Sequence, residues 1–198
     1  MSGDAADLET ATGTAYAHLH ADAVSVLSRW QAPDAVQEGL RRDYLGHLAT
    51  HPDGVAKAGP PAHLTASCLV VDEGHERVLL TLHRRARQWL QFGGHLEAED
   101  PSLWAAGRRE AREESGLASI EPLTNPVQLD RHVLVGDFGR CRQHLDVRYV
   151  AVAPAEAVGL VSEESLDVRW WPIDALPSGT RDELTPLVSL ALRALGHR

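Results

Sequence analysis

The sequence predicts an α/β protein, an α/β/α sandwich with a mixed sheet preceded by an N-terminal helical hairpin. Two observations carry this. Short Val/Leu-rich runs bounded by turn residues read as strands, and stretches with apolar residues at helical spacing lie before, between and after them. A third, the 198-residue length, suits one domain of ordinary size with a small appendage. The boundary falls in the Pro/Gly-rich stretch at residues 52–62, so we expect a tail, helical hairpin and connector at 1–62 and the main domain at 63–198.

Residues 1 to about 12 are small and polar, as frayed termini are. From about Ala15 to Trp30, Leu19, Ala23, Val24, Leu27 and Trp30 keep helical spacing. Pro33-Asp34 opens a second helix, with Gln37 three residues after Asp34 as in a capping box. Val36, Leu40, Tyr44, Leu45 and Leu48 form its apolar stripe. His18, His20, His47 and His51 form no tight ligand pair with acids nearby, so we read them as surface or helix-end residues.

Leu64 to Asp72 and Arg77 to Leu82 read as a hairpin around Glu73-Gly74-His75-Glu76. The basic run His83-Arg84-Arg85-Ala86-Arg87 follows. In it Arg84 and Arg85 are candidate phosphate contacts, and a solvated loop explains them equally well. After Gly93-Gly94, Asp100-Pro101 starts a helix that Gly116 stops, with Leu103, Gly107 and Ala111 on its buried face. Glu110, Glu113 and Glu114 crowd its last turns. Like charges at this spacing repel by roughly 0.2–0.5 kcal/mol per pair, and the helix dipole disfavours anions there by about 0.3–1 kcal/mol each. Local stability does not choose this arrangement, whereas hard divalent cations do favour clustered carboxylates.

Gly94 to Leu117 resembles the Nudix box, G-x5-E-x7-R-E-U-x-E-E-x-G-U with U a bulky apolar residue. Gly94, Arg109, Glu110, Glu113, Glu114, Gly116 and Leu117 match in order, with Ala111 as the small apolar residue. Asp100 stands at the first acidic position, and eight residues rather than seven separate it from Arg109. An N-cap role for Asp100 is as good a reading as a catalytic one. The resemblance covers about Leu64 to Leu195 and implies the same sandwich. It also implies hydrolysis of a diphosphate linkage in a nucleoside diphosphate linked to X, with Mg2+ or Mn2+. By that resemblance Glu110, Glu113 and Glu114 bind the cations, the Gly93 carbonyl is a further ligand, and Arg109 orients the glutamates. Glu113 is the first choice of general base. An acid in the loop ahead of the Trp170-Trp171 strand assists, Glu164 first and Glu163 second.

Residues 127–135 and 144–152 both alternate, with Gly136 to Arg140 as the turn. A hairpin centred on Phe138 sets His132 opposite His144 and Asp130 opposite Asp146, all on one face. That face either helps hold substrate or a further cation, with His132, His144 and Asp146 as contacts, or is the solvent side of a half-buried strand. A last helix is expected from about Arg181 to Leu195.

The formal net charge of -9 excludes sequence-independent nucleic-acid binding, which needs a basic surface. Two cysteines, Cys68 and Cys141, are too few for a disulfide framework or a cysteine-rich zinc site. No signal-peptide pattern or spanning apolar run is present, so the expected setting is cytoplasmic, away from membranes, with a small phosphorylated molecule as partner; a homodimer is compatible with the fold. Three rivals stand beside the hydrolase. A non-catalytic Nudix module that senses a nucleotide sits poorly with an intact glutamate set. An isopentenyl-diphosphate isomerase would need a motif that is not found around Cys68. A structural dimer leaves the joint match of glycines, arginine and glutamates unexplained.

Overall fold

The computed structural model describes residues 12–134 and 139–196. The N-terminal tail up to residue 11, and residues Gly136 to Phe138 of the turn expected at Gly136 to Arg140, lie outside them. The chain forms two compact units: Met1–Ala66, His95–Ala106 and Leu129–Val147 make the first, and Ser67–Gly94, Gly107–Gln128 and Arg148–Arg198 the second. The class is α/β, with a mixed sheet, helices and two N-terminal helices.

In the first unit, α1 (Ala17–Arg29) buries Leu19, Ala23 and Leu27, and α2 (Ala35–Thr50) buries Gln37, Tyr44 and Leu48. Tyr44 and Leu48 of the predicted stripe point inward and Leu40 and Leu45 are half-buried, but Val36 is 73 % exposed and Gln37 is buried beside it. The reason is Gln37. Asp34 caps the helix by accepting the Gln37 N–H at 2.9 Å, but the Gln37 side chain does not return to the cap. Instead its amide donates to the Leu129 carbonyl at 3.0 Å and accepts the Leu129 N–H at 2.7 Å, so a polar residue takes an inward position. Tyr44 points the same way and donates to the Asp130 carbonyl at 2.6 Å. The four N-terminal histidines have structural partners: His18 Nε2 meets the Asp100 carbonyl, His20 Nε2 the Leu48 carbonyl, and His47 and His51 stack at 4.4 Å.

β5 (Gln128–Val133) and β6 (Gln143–Ala153) are antiparallel, and Leu134 N–H donates to the Arg142 carbonyl. That register sets His132 across from His144, their rings 5.4 Å apart. β1 (Ala62–Asp72) runs parallel to β6: Arg142 N–H reaches the Pro61 carbonyl at one end, and Glu73 N–H reaches the Ala153 carbonyl at the other.

In the second unit, β2 (Arg77–His83) has β7 (Ser165–Pro172) antiparallel on one edge, with Val78 opposite Trp171. The end of β1, with Val70 opposite Leu79, and the short β3 (Trp89–Leu90) lie on the other. The strand order is β3-β2-β1-β6-β5, with β4 (Phe92–His95) also paired to β1. Leu69, Val71, Val78, Leu80 and Val150 pack with Leu184, Leu187 and Ala191 of the last helix, α4 (Leu184–Ala194).

A further helix, α3, spans Leu103–Ser115 and buries Leu103, Ala106 and Ala111. Its start corrects the expectation for Asp100. The Asp100 carboxylate accepts the Glu97 N–H at 2.8 Å and so closes the preceding turn rather than capping the helix. Ser102 Oγ accepts the Ala105 N–H instead, and Asp22 of α1 accepts the Leu103 N–H at 2.7 Å, placing its charge at the positive end of the dipole. Among the described residues no helix is long and apolar enough to cross a membrane.

Gln37→Leu would leave two buried backbone groups of Leu129 without their partner. We expect a loss of about 1–3 kcal/mol in urea unfolding, against less than about 0.5 kcal/mol for the exposed Val36→Ser.

Candidate active site

Gly93 and Gly94 on β4 face the last turns of α3. The Gly93 N–H donates to Glu114 Oε2 at 2.9 Å. At Gly94 a Cβ would sit 2.8 Å from Glu110 Oε1, a separation real side chains do not tolerate, so glycine is what lets the glutamate carboxyl lie against the strand. Arg109 then holds two acids together, its Nη1 reaching Glu110 Oε1 at 2.9 Å and Glu113 Oε2 at 3.3 Å.

The three glutamates differ in setting although they share a helix. The side chains of Glu110 and Glu113 are 14 % and 61 % exposed, and Glu114 as a residue is 6 % exposed. Burial pushes the Glu110 carboxyl up to about 7, opposed by Arg109 and helped by the charges of Glu113 and Glu164. Burial also pushes Glu114 up to about 8, opposed by the Gly93 N–H and helped by Glu110, Glu164 and Glu113. This is a costly set of oxygens. Arg109 engages Glu110 Oε1 and the Gly93 N–H engages Glu114 Oε2, and the carboxylate oxygens are all hard donors. That chemistry fits Mg2+ or Mn2+, as does the mutual repulsion a cation would relieve.

Glu164 belongs electrostatically to this group, and its carboxylate lies 4.0 Å from His83 Nε2. Its loop is fixed at short intervals. Trp170 Nε1 donates to the Ala157 carbonyl at 2.7 Å, Leu160 N–H to the Ser115 carbonyl at 2.8 Å, and the Arg84 guanidinium to the carbonyls of Glu163 and Ser165 at 2.9 and 3.0 Å. Gly116 ends α3 at φ +72, and a Cβ there would be 2.7 Å from Leu160. The Arg84 guanidinium thus engages the carbonyls on either side of Glu164. Both basic candidates, Arg84 and Arg85, are exposed.

The expected polar face of β5 and β6 lies in the first unit, and it is not a solvent face. Asp146 is 2 % exposed and accepts the Thr65 hydroxyl at 3.0 Å, and Asp130 Oδ2 meets His132 Nδ1 at 2.8 Å. Burial drives His144 down to about 4 and His95 down to about 3, with neighbouring histidines adding to both, so these imidazoles are neutral at pH 7. Cys68 is buried in β1, where burial pushes its thiol up, away from nucleophilic use.

The NUDIX domain model matches residues 61–190, which is about two thirds of the chain. The chain belongs to the NUDIX family. Membership makes it an enzyme of the Nudix pyrophosphohydrolase class. A NUDIX-family hydrolase from Clostridium perfringens is similar at 26 % identity and a TM-score of 0.54, covering 67 % of this chain and 97 % of its own. The dihydroneopterin triphosphate pyrophosphohydrolase of E. coli, at 15 % identity and a TM-score of 0.56, covers 66 % and 95 %. The C. elegans Ap4A hydrolase, at 15 % and 0.55, covers 68 % and 98 %. The last two show likeness of fold. No curated protein matches the chain in sequence.

The sequence reading of this Nudix box missed two features. One is the Gly93 N–H bond to Glu114, since backbone donors carry no signature. The other is the Arg84 anchor, for which a basic residue placed before the glycines gave only a generic phosphate signal.

The raised carboxyls set a pH dependence. Groups held above their unfolded value of 4.5 favour the fold below that pH, and this contribution is lost as the pH rises through about 7 and 8. We expect the melting temperature of chelator-treated protein to fall between pH 5 and about pH 8.5, and Mn2+ to restore it most at the upper end, measured by calorimetry. Glu110→Gln should flatten the fall.

Proposed function

We propose that the chain hydrolyses a diphosphate linkage in a nucleoside diphosphate linked to X, in a reaction dependent on Mg2+ or Mn2+. The observation that carries this is the pair of buried, mutually repelling carboxyls of Glu110 and Glu114 against Gly93-Gly94, beside the more exposed Glu113. Residues 63–198 carry the catalytic domain in this reading, and residues 1–62 are an addition to it.

Glu110, Glu113 and Glu114 would hold the cation, with the Gly93 carbonyl as a further oxygen. When bound, the cation neutralises the diphosphate, polarises phosphorus and lowers the pKa of water. Arg109 keeps Glu110 and Glu113 from swinging apart, fixing their oxygens before substrate arrives. Glu113 accepts the proton of the attacking water and Glu164 is the second choice for that role. Arg84 acts by positioning, because its guanidinium fixes the carbonyls on either side of Glu164. Arg85 is left as the basic contact for a phosphate. Candidates for the substrate are ordinary or damaged nucleoside triphosphates, nucleotide sugars, ADP-ribose and dinucleotide cofactors.

A panel of these compounds, with products identified by mass, tests the reading. We expect one class to be cut at its diphosphate, with turnover abolished by a chelator and by Glu113→Gln with Glu114→Gln. Glu113→Gln alone should cost 10²- to 10⁴-fold in kcat, the range for a lost general base. No turnover of any member, with a nucleotide raising the melting temperature equally in wild type and double variant, would overturn it in favour of a binding module.

Arg84→Ala should lower kcat about tenfold while Arg84→Lys recovers little, because one ammonium cannot span two carbonyls. Arg85→Ala should instead raise KM, and steady-state kinetics separates the two.

A further inference from the structure

Four side chains of the first unit each bring one donor atom into a small volume. His63 stands on β1, His95 ends β4, Cys141 lies two residues ahead of β6, and His144 is the second residue of that strand. Their donor atoms all lie within 4.8 Å of one another. The Cys141 sulfur is 3.7 Å from His63 Nε2 and 3.9 Å from His95 Nε2. The three imidazole centroids are 5.0 to 5.4 Å apart.

Tetrahedral zinc, with Zn–S of about 2.3 Å and Zn–N of about 2.0–2.1 Å, places sulfur and nitrogen about 3.6 Å apart. The two observed separations are close to that edge, and they are long for useful thiol hydrogen bonds. His63 Nδ1 lies 2.9 Å from the Pro60 carbonyl, which can only accept, so Nδ1 carries the proton and Nε2 turns its lone pair towards the sulfur. A ring nitrogen donating to a backbone carbonyl while the other faces the donor cluster is the usual setting of a ligating histidine. His144 Nε2 is buried with no hydrogen-bond partner among the described residues. Coordination would satisfy it.

We propose that His63, His95, Cys141 and His144 bind one Zn2+ in a closed structural site. One thiolate and three imidazoles suit zinc and not Mg2+, which prefers oxygen. Four protein donors leave no open position for a water nucleophile, so the site cross-links rather than catalyses. Binding takes up Zn2+ and releases the Cys141 thiol proton, with no change of oxidation state. The site ties the start of β1, the end of β4 and the start of β6, segments far apart in sequence. It uses none of the box glutamates and stands or falls apart from the hydrolytic reading.

The full chain, stripped with a chelator, is titrated with Zn2+ against a chromophoric competitor in excess Mg2+, which occupies oxygen sites. We expect one Zn2+ per chain at about nanomolar affinity or tighter. Co2+ in its place should give a thiolate-to-cobalt charge-transfer band and the strong visible bands of four-coordinate cobalt. Cys141→Ser should lose the charge-transfer band and weaken zinc by more than about 100-fold, beyond what losing an outer partner costs, while Cys68→Ala keeps both. If Cys141→Ser does not fold, the wild-type stoichiometry and cobalt spectrum decide. No zinc uptake in the presence of Mg2+, cobalt without the thiolate band, or full zinc affinity in folded Cys141→Ser would overturn the proposal.

Discussion

The candidate active site depends on one close approach, that of the Gly93-Gly94 backbone to the carboxyls of Glu110 and Glu114. With no side chain at Gly94, Glu110 lies where a Cβ would otherwise collide with it, and the Gly93 N–H fixes Glu114. The approach buries both acids, burial raises both above their ordinary range, and Arg109 holds Glu110 and Glu113 in register. The helix thus tolerates acids near its negative end because the strand beside it supplies an N–H and room. A poor local choice becomes intelligible as a site. Stability given up in the last turns of α3 is what an assembled cluster of oxygens requires.

Much of this was legible from residue types at fixed spacing. Gly116 needed a positive φ and has one, Asp34 capped its helix, and the alternation of β5 and β6 gave the His132–His144 pairing. These succeed because each is decided within a few residues of chain or by a simple two-residue period. Asp100 and Gln37 were misread for the opposite reason. Both carry the right side chain at the right offset for a cap, but a distant group offers each helix or side chain something better: Asp22 takes the start of α3, and the Leu129 peptide takes Gln37. Offsets alone do not reveal such competitors.

The cluster around Cys141 was hidden differently. Two cysteines do exclude a cysteine-rich zinc site, yet they leave open one built mostly from histidines. His63 and His95 become neighbours of His144 only through the parallel pairing of β1 with β6, a long-range crossing that no local pattern announces. The one local signal was the short Cys141-x2-His144 spacing, which compositional reasoning passes over. The enclosure of Asp146 by Thr65 follows from the same crossing, and it turns a face that alternation leaves ambiguous into an interior one.

The loop before β7 has no regular structure, but it is stitched to three other residues, at Ala157 by Trp170, at Leu160 by Ser115 and at Glu163 by Arg84, which also holds Ser165 at the start of the strand. Irregular surface segments usually absorb insertions and deletions freely. This one has little slack, since adding or removing a residue anywhere between Ala157 and Ser165 must break a stitch or carry Glu164 out of place. In a library of length variants, the segment should therefore behave like a strand, accepting substitution at its exposed side chains and rejecting any change of register.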